Sequence, residues 1–377
     1  MTTPKQTAGG RAPAGGKATL EVVAAGHYNN LNLLRVVAAT MVLVSHAFVL
    51  ASGSGASEPW LVRLGTTPGG IAVDVFFIIS GFLVTGSLDR SRSLRRFAAA
   101  RALRIYPALW VSLLLTAAMV GAFFTDLPAA RFFGDAQTWR WLGRNAIMIT
   151  GGDGVLPAAF AHVLFAGAVN GSLWTLRWEL RLYLLLALAW WFVRRVARHR
   201  PALTFERAMI AAAVAATFAN VGLHLAGRAI DFVELAAMFL QGAALWTLRA
   251  RVTTGWNSFF ALVLAFAIAA LVSPQAFQLV TALALSWLTL HLAFLPSGPL
   301  RRYNGVGDYS YGIYIFAFPI QQAAMACWPQ LSATELIAAA LPPTIALSAL
   351  SWHLVEERAL AHKESLARAM GAKPGSR

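Results

Sequence analysis

Cysteine occurs once in the 377 residues, at Cys327, which excludes an internal disulfide and a cysteine-based metal cluster. Its apolar helical surroundings suit inert packing. Charge is scarce as well. Asp, Glu, Lys and Arg make up 12% of the chain, against 58% hydrophobic residues and a mean hydropathy of +0.60. Such a composition cannot cover a water-soluble globule with polar surface, so the class is a polytopic, all-α membrane protein. Acids number only 16, leaving a formal charge of +15. The basic residues are dispersed between apolar runs, so nucleic acid is not an expected partner. No spacing among the His, Asp and Glu residues suggests a metal. A Gly-x-Ser-x-Gly elbow is missing, which disfavours Ser45 or Ser80 as a covalent nucleophile. Repeated segments and paired Gly/Pro-broken helices, the signature of inverted-repeat transporters, are missing too. Residues 1–30 lack a signal-peptide core and read as a flexible, disordered basic tail.

What is present is a set of long apolar runs. Windows of about 20 apolar residues place spans at 33–52, 69–88, 103–124, 173–193, 206–226, 232–249, 256–273, 276–295, 309–328 and 335–355, about ten helices. Ser273-Pro274 marks either a turn or a kink between the seventh and eighth. With the N-terminus inside, 24 of the 31 Lys and Arg fall in inner segments. This asymmetry puts both termini in the cytoplasm and makes lipid headgroups default partners. The one long loop, 125–171, lies outside and carries Asp126, Asp135, Trp139, Trp141, Asp153, His162 and Asn170. Its length suggests a function or packing of its own, and its Trp pair suits the membrane interface.

The first run, Leu31–Leu50, is interrupted by Arg35 and His46, eleven positions apart. Eleven residues make about three helical turns, so both side chains share one stripe, ~16 Å apart. Alone, Arg35 is equally compatible with snorkelling to the interface. The topology adds depth. His46, Asp74 and Glu179 are expected in one layer below the outer face, on three helices, while Arg35, Arg101 and Arg104 fall at the inner boundary. Singly, Asp74 could be a helix-bridging acceptor and Arg101 and Arg104 merely topological. Arg177 and Arg181 sit two residues either side of Glu179, on the wrong face to pair with it. The shared depth favours a site. Arginines grip phosphates bidentately, and an imidazole near carboxylates moves protons. Gly70, Gly81, Phe76 and Phe77 read as packing residues. His199, His353 and His362 read as interface residues, and His224 and His291 have no assigned role.

These residues fall in motifs. Leu33-Leu34-Arg35 precedes His46 by ten residues, and Gly70-Ile71-Ala72-Val73-Asp74-Val75-Phe76-Phe77-Ile78-Ile79-Ser80-Gly81-Phe82-Leu83 follows. Then come Arg101-Ala102-Leu103-Arg104-Ile105-Tyr106-Pro107 and Asn170-Gly171-Ser172-Leu173-Trp174-Thr175-Leu176 with Glu179. Tyr309-Ser310-Tyr311-Gly312-Ile313-Tyr314 and Val355-Glu356 close the series. In this order the sequence resembles the bacterial acyltransferase 3 family, integral-membrane enzymes that O-acylate carbohydrates and some lipids and antibiotics. The resemblance implies an acyl-CoA donor, with acetyl the commonest acyl group, bound from the cytoplasm. It also implies a polysaccharide or lipid-linked saccharide acceptor on the outer side, and residence in the bacterial inner membrane. It carries a catalytic role onto His46 and CoA binding onto Arg101 and Arg104, with Arg35 as the basic member of the first motif. Many members have His before Phe-Pro in a late helix, where this chain has Ala317.

The resulting expectation is an O-acyltransferase domain over residues 31–358, followed by a cytoplasmic tail, 359–377. His46 deprotonates the acceptor hydroxyl, Asp74 or Glu179 orients the ring, and Arg35, Arg101 and Arg104 hold the CoA phosphates. No cofactor is permanently bound. Two other functions fit the same residues: a proton-coupled transporter, in which His46, Asp74 and Glu179 form a relay, and a carrier that passes acyl groups across the membrane to a separate transferase.

Overall fold

In the computed structural model, residues 18–24, 26, 29–152 and 154–372 are described. Each expected span contains a helix. In chain order these are α1 (Leu31–Ser52), α2 (Pro68–Ser91), α3 (Leu94–Phe123), α4 (Leu176–Val196) and α5 (Phe205–Leu225). They continue with α6 (Asp231–Thr247), α7 (Trp256–Val272), α8 (Pro274–Phe294), α9 (Ser310–Cys327) and α10 (Ala333–Ser351). Among the described residues the only sheet is a two-stranded ladder, Ala18–Thr19 against Thr253–Thr254. Among the described residues six helices are long and apolar enough to cross a membrane: α1, α2, α3, α5, α8, and α10 with its continuation to Ala361. Two of the others, α6 and α7, have 17 residues each. Most of α9 is buried by its neighbours, so it meets protein where α5 meets its surroundings.

Local chemistry sets the boundaries. Thr67 caps α2 by accepting from the Gly70 N–H at 3.0 Å, with Pro68 in the first turn, where its missing N–H is harmless. Ser273 ends α7 and caps α8, accepting from the Ala276 N–H at 3.1 Å, so Ser273-Pro274 is a turn and not a kink. Ser332 and Glu335 form a reciprocal capping box at the start of α10. Ser93 starts α3 nine residues before the expected window. Arg101 and Arg104 therefore both sit within a helix, three residues apart on one face. Arginine is a good helix former, and a hydropathy window does not register that.

Helix α2 is the centre of the bundle, with α1 on one side and α6 on the other. Helix α6 approaches α2 so closely that backbones touch. A Cβ added at Gly81 would run into the Phe239 carbonyl, and one at Gly242 into the Ile78 carbonyl. The packing role of Gly81 is thus met by a glycine on the facing helix. Gly70 instead lies in the cap beside Thr66 and Thr67.

Three features differ from expectation. The packed body begins before residue 31: Leu20 is fully buried, and its N–H donates to the Val252 carbonyl. The expected disorder of residues 1–17 lies outside the described residues. In the outer loop the Trp pair is split, Trp139 exposed and Trp141 buried in the main core. Cys327, the last residue of α9, is exposed rather than packed.

Candidate active site

Two large cavities lie on opposite faces of one wall. One, called inner because it lies at the end expected to face the cytoplasm, has a volume of about 620 Å³ and is lined by Arg35, Arg101 and Arg104 together with Arg90, Arg96 and Lys363. Against these cations stand Glu179 and Glu364, so the lining is strongly cationic. The outer cavity, about 570 Å³, contains His46 and Asp74, with Glu58, His224, Asp231 and Glu234 around them. Val73 and Tyr314 line both.

On the inner side, Asp308 binds two arginines. It is ion-paired with Arg35, and with Arg104 at 2.6 Å, while Arg104 also reaches Glu356 at 2.8 Å. Burial alone would raise the Asp308 pKa. The Arg104 and Arg35 guanidiniums, with hydrogen bonds from Ser310, outweigh it and hold the carboxyl below the usual range. Arg101 differs from these two. Its Nε is buried without a hydrogen-bond partner, and its guanidinium faces the Tyr183 ring at 5.9 Å. Of the three, it is the one with no carboxylate partner among the described residues and so with charge left to offer an anion.

On the outer side, His46 lies edge-on to Phe318, ring centroids 5.1 Å apart, and its Nδ1 is buried with no partner. Asp74 is buried and makes no hydrogen bond among the described residues. Neither carboxylate therefore orients the imidazole by a hydrogen bond. Asn220, 3% exposed, also lines this cavity with an unpartnered Nδ2. Next to His46, the Ser45 hydroxyl donates to Glu58 and accepts from the Gly69 N–H at 3.1 Å. Burial pushes the Glu58 carboxyl up, opposed by a hydrogen bond from Thr67.

Glu179 is not in the layer of His46 and Asp74. It lines the inner cavity, accepting from Ser80 at 3.0 Å and from Tyr183. Ser80 is six residues past Asp74 on α2, about 9 Å further along the helix. The cause lies in the chain before α4. A 3₁₀ turn, Gly171–Thr175, carries the outer loop down into the bundle before the helix starts. Asn170 anchors it by donating to the Ile315 carbonyl at 2.8 Å. Gly171 presses on the Phe318 ring, and the Thr175 hydroxyl meets Tyr314 at 2.5 Å. As expected, Arg177 and Arg181 do not pair with Glu179. Both lie against Trp178, at 4.9 and 4.7 Å from its ring.

The sequence reading missed Asp308, Glu234, His224 as a cavity residue, and Asn220. Asp308 carried a signal, being an acid at the depth of Arg35 and Arg104, two residues before the Ser310 that opens α9. Asn220 carried none, since one amide in an apolar helix looks the same buried or bridging. His291 proves structural: its Nε2 meets the Ser258 hydroxyl and its Nδ1 the Trp287 carbonyl, both at 2.8 Å, fastening α7 to α8.

Residues 28–353 match the acyltransferase 3 family, described as an acyltransferase domain. An O-acetyl transferase of Shigella phage Sf6 is 32% identical over 341 residues, spanning 88% of this chain and 96% of the relative. Nodulation protein 10 of Rhizobium leguminosarum bv. viciae is 28% identical over 370 residues, covering 90% and 95%. No solved structure matches.

Proposed function

Because the chain belongs to the acyltransferase 3 family, we propose that it O-acylates a saccharide across the bacterial inner membrane. The donor is acyl-CoA from the cytoplasm, and the acceptor is a hydroxyl of an envelope polysaccharide or lipid-linked saccharide. The name of the phage relative speaks for acetyl as the acyl group. The observation that carries the reading is the pair of cavities: one cationic, one holding an unpartnered histidine, with a common wall. In this reading all ten helices cross the membrane, both termini are cytoplasmic, and residues 31–358 form the catalytic domain. The bias of Lys and Arg toward the inner segments supports that orientation.

The CoA phosphates sit at the inner cavity, where Arg101 contacts them directly and Arg35 and Arg104 add field while remaining paired with Asp308. The acceptor enters the outer cavity. His46 removes the hydroxyl proton as the oxygen attacks the thioester carbonyl carbon. The carbon–sulfur bond breaks, a carbon–oxygen ester bond forms, and the imidazolium returns the proton to the departing thiolate. A positioned base of this kind contributes about 10²–10⁴-fold. Asp74, in the same cavity, makes no hydrogen bond to the imidazole and is left to meet the acceptor. Glu179 belongs to the donor side, where it positions Ser80 and Tyr183.

Purified full-length protein in detergent with labelled acetyl-CoA tests this. An acyltransferase retains the label and slowly releases acetate to water. A transporter with the same cavities ignores the nucleotide, and that result would overturn the proposal.

A further inference from the structure

Val73 and Tyr314 are the two residues that line both cavities. Val73 precedes Asp74 on α2, and both Val73 and Tyr314 are almost fully buried. Tyr314 is held at both ends. Its hydroxyl meets Thr175 at 2.5 Å, and its ring lies edge-on to Phe76 at 5.7 Å. On one side of this pair stand His46 and Asp74, on the other Arg101, Glu179 and Tyr183. The wall is tied to the base as well, since Thr175 ends the turn whose Gly171 presses on Phe318, the ring that packs on His46.

We propose that Val73 and Tyr314 form an acyl-selecting partition, the point at which the thioester end of the donor crosses into the histidine cavity. This rests on the two-sided reading above and deepens it. The nucleotide stays at the cationic end. Beyond the wall α2 lines the inner cavity with Phe76, Phe77, Ile79 and Leu83 beside Ser80 and Ser87, a largely apolar stretch that suits an unbranched arm and acyl chain. Only the carbonyl and what is attached to it must pass. The β-branched Val73, fixed on α2, and the anchored Tyr314 ring restrict the width there, so a short acyl group crosses and a long one stays behind. In an apolar slot each methylene gained or lost changes discrimination by roughly 10–200-fold, so a single side-chain change at the wall should move the preferred chain length.

The test uses the purified full-length protein with acetyl-, butyryl- and hexanoyl-CoA. It measures binding of labelled acyl-CoA by equilibrium dialysis and thioester cleavage, with water as acceptor, by chromatography of released CoA. The wild type should cleave acetyl-CoA best and hexanoyl-CoA least. Val73→Ala should raise the hexanoyl-to-acetyl cleavage ratio by about tenfold or more. Val73→Phe should bind acetyl-CoA as the wild type does yet cleave it about tenfold more slowly or worse. Tyr314→Phe keeps the ring and should preserve the chain-length order. Monodisperse elution of each variant guards against misfolding, and Val73→Ile gives a milder narrowing with the same sign. If Val73→Ala binds and cleaves with an unchanged chain-length ratio, the partition is wrong and the donor reading survives. If the wild type binds no acyl-CoA at all, both fall together.

Discussion

Arg104 in the inner cavity reaches two carboxylates, whereas the Asn220 Nδ2 in the outer one has no partner among the described residues. The contrast extends to their neighbours. Arg35, Asp308, Glu356, Glu179, Ser80 and Tyr183 all have partners within the protein, while the His46 Nδ1 and Asp74 have none among the described residues. Buried polar groups left without hydrogen bonds cost about 1–3 kcal/mol each, so they persist where something outside the fold will complete them. The inner site is built to stand unliganded, and of Arg35, Arg101 and Arg104 it leaves Arg101 uncommitted for an anion. The outer site is incomplete by itself, as a site for a hydroxyl-bearing ligand would be.

The sharpest way to break this contrast is at its most exposed point. His46→Ala should lower transfer by about 10²–10⁴-fold while leaving acyl-CoA binding intact, because the imidazole touches no group of the inner network. Turnover of labelled acetyl-CoA, measured beside equilibrium dialysis, checks it. Parallel loss of binding would mean that the two cavities are one site.

The inner network should answer differently, through stability. Asp308→Asn takes from partly buried Arg35 its carboxylate partner and from Arg104 one of two, and breaking such a pair costs about 3–5 kcal/mol. The pH dependence follows from the same group. The Asp308 carboxyl titrates below an ordinary aspartate, so its stabilisation is fully present above the unfolded value and is lost as pH falls through the depressed folded one. Thermal unfolding in detergent from neutral to acidic pH should show that acid limb in the wild type and a flatter one in Asp308→Asn.

Arg101 and Arg104 share one helical face but divide the two effects. Arg101→Ala should weaken acyl-CoA binding by about tenfold to a hundredfold, the worth of a charged hydrogen bond, with little change in melting temperature. Arg104→Ala should chiefly lower the melting temperature. Equal losses of binding in the two variants would erase the distinction between a gripping and a bracing arginine.

How much of this was readable beforehand follows the same divide. Helices fall at every apolar window because twenty apolar residues in a row state their environment, and Arg35 and His46 share a helix because spacing alone fixes that. Depth along separate helices was less legible. Counting down from a membrane surface puts Glu179 level with His46, but the Gly171–Thr175 turn dips into the bundle before α4 begins and shifts it deeper. The Asp308 clasp joins residues 204 and 273 positions away, a closure that no local pattern encodes. Trp141 went inside because the outer loop packs on itself and on the core, where hydropathy sees only an aromatic near an interface.

The smallest expected effect tests the contrast from the opposite direction. If the Asn220 amide is unpartnered because the acceptor completes it, an apolar residue of similar size should suit the empty protein better than asparagine does. Asn220→Leu should then leave the melting temperature unchanged or raise it, by an amount on the order of 1 kcal/mol, since it removes an unmet donor without removing a bond. Acyl-CoA binding and slow hydrolysis should be unaffected, but acylation of the envelope glycan, read by mass in cells carrying the variant, should fall. A marked drop in stability would mean that the amide already does structural work in the fold, and the outer cavity would lose one of the three unmet groups on which its character rests.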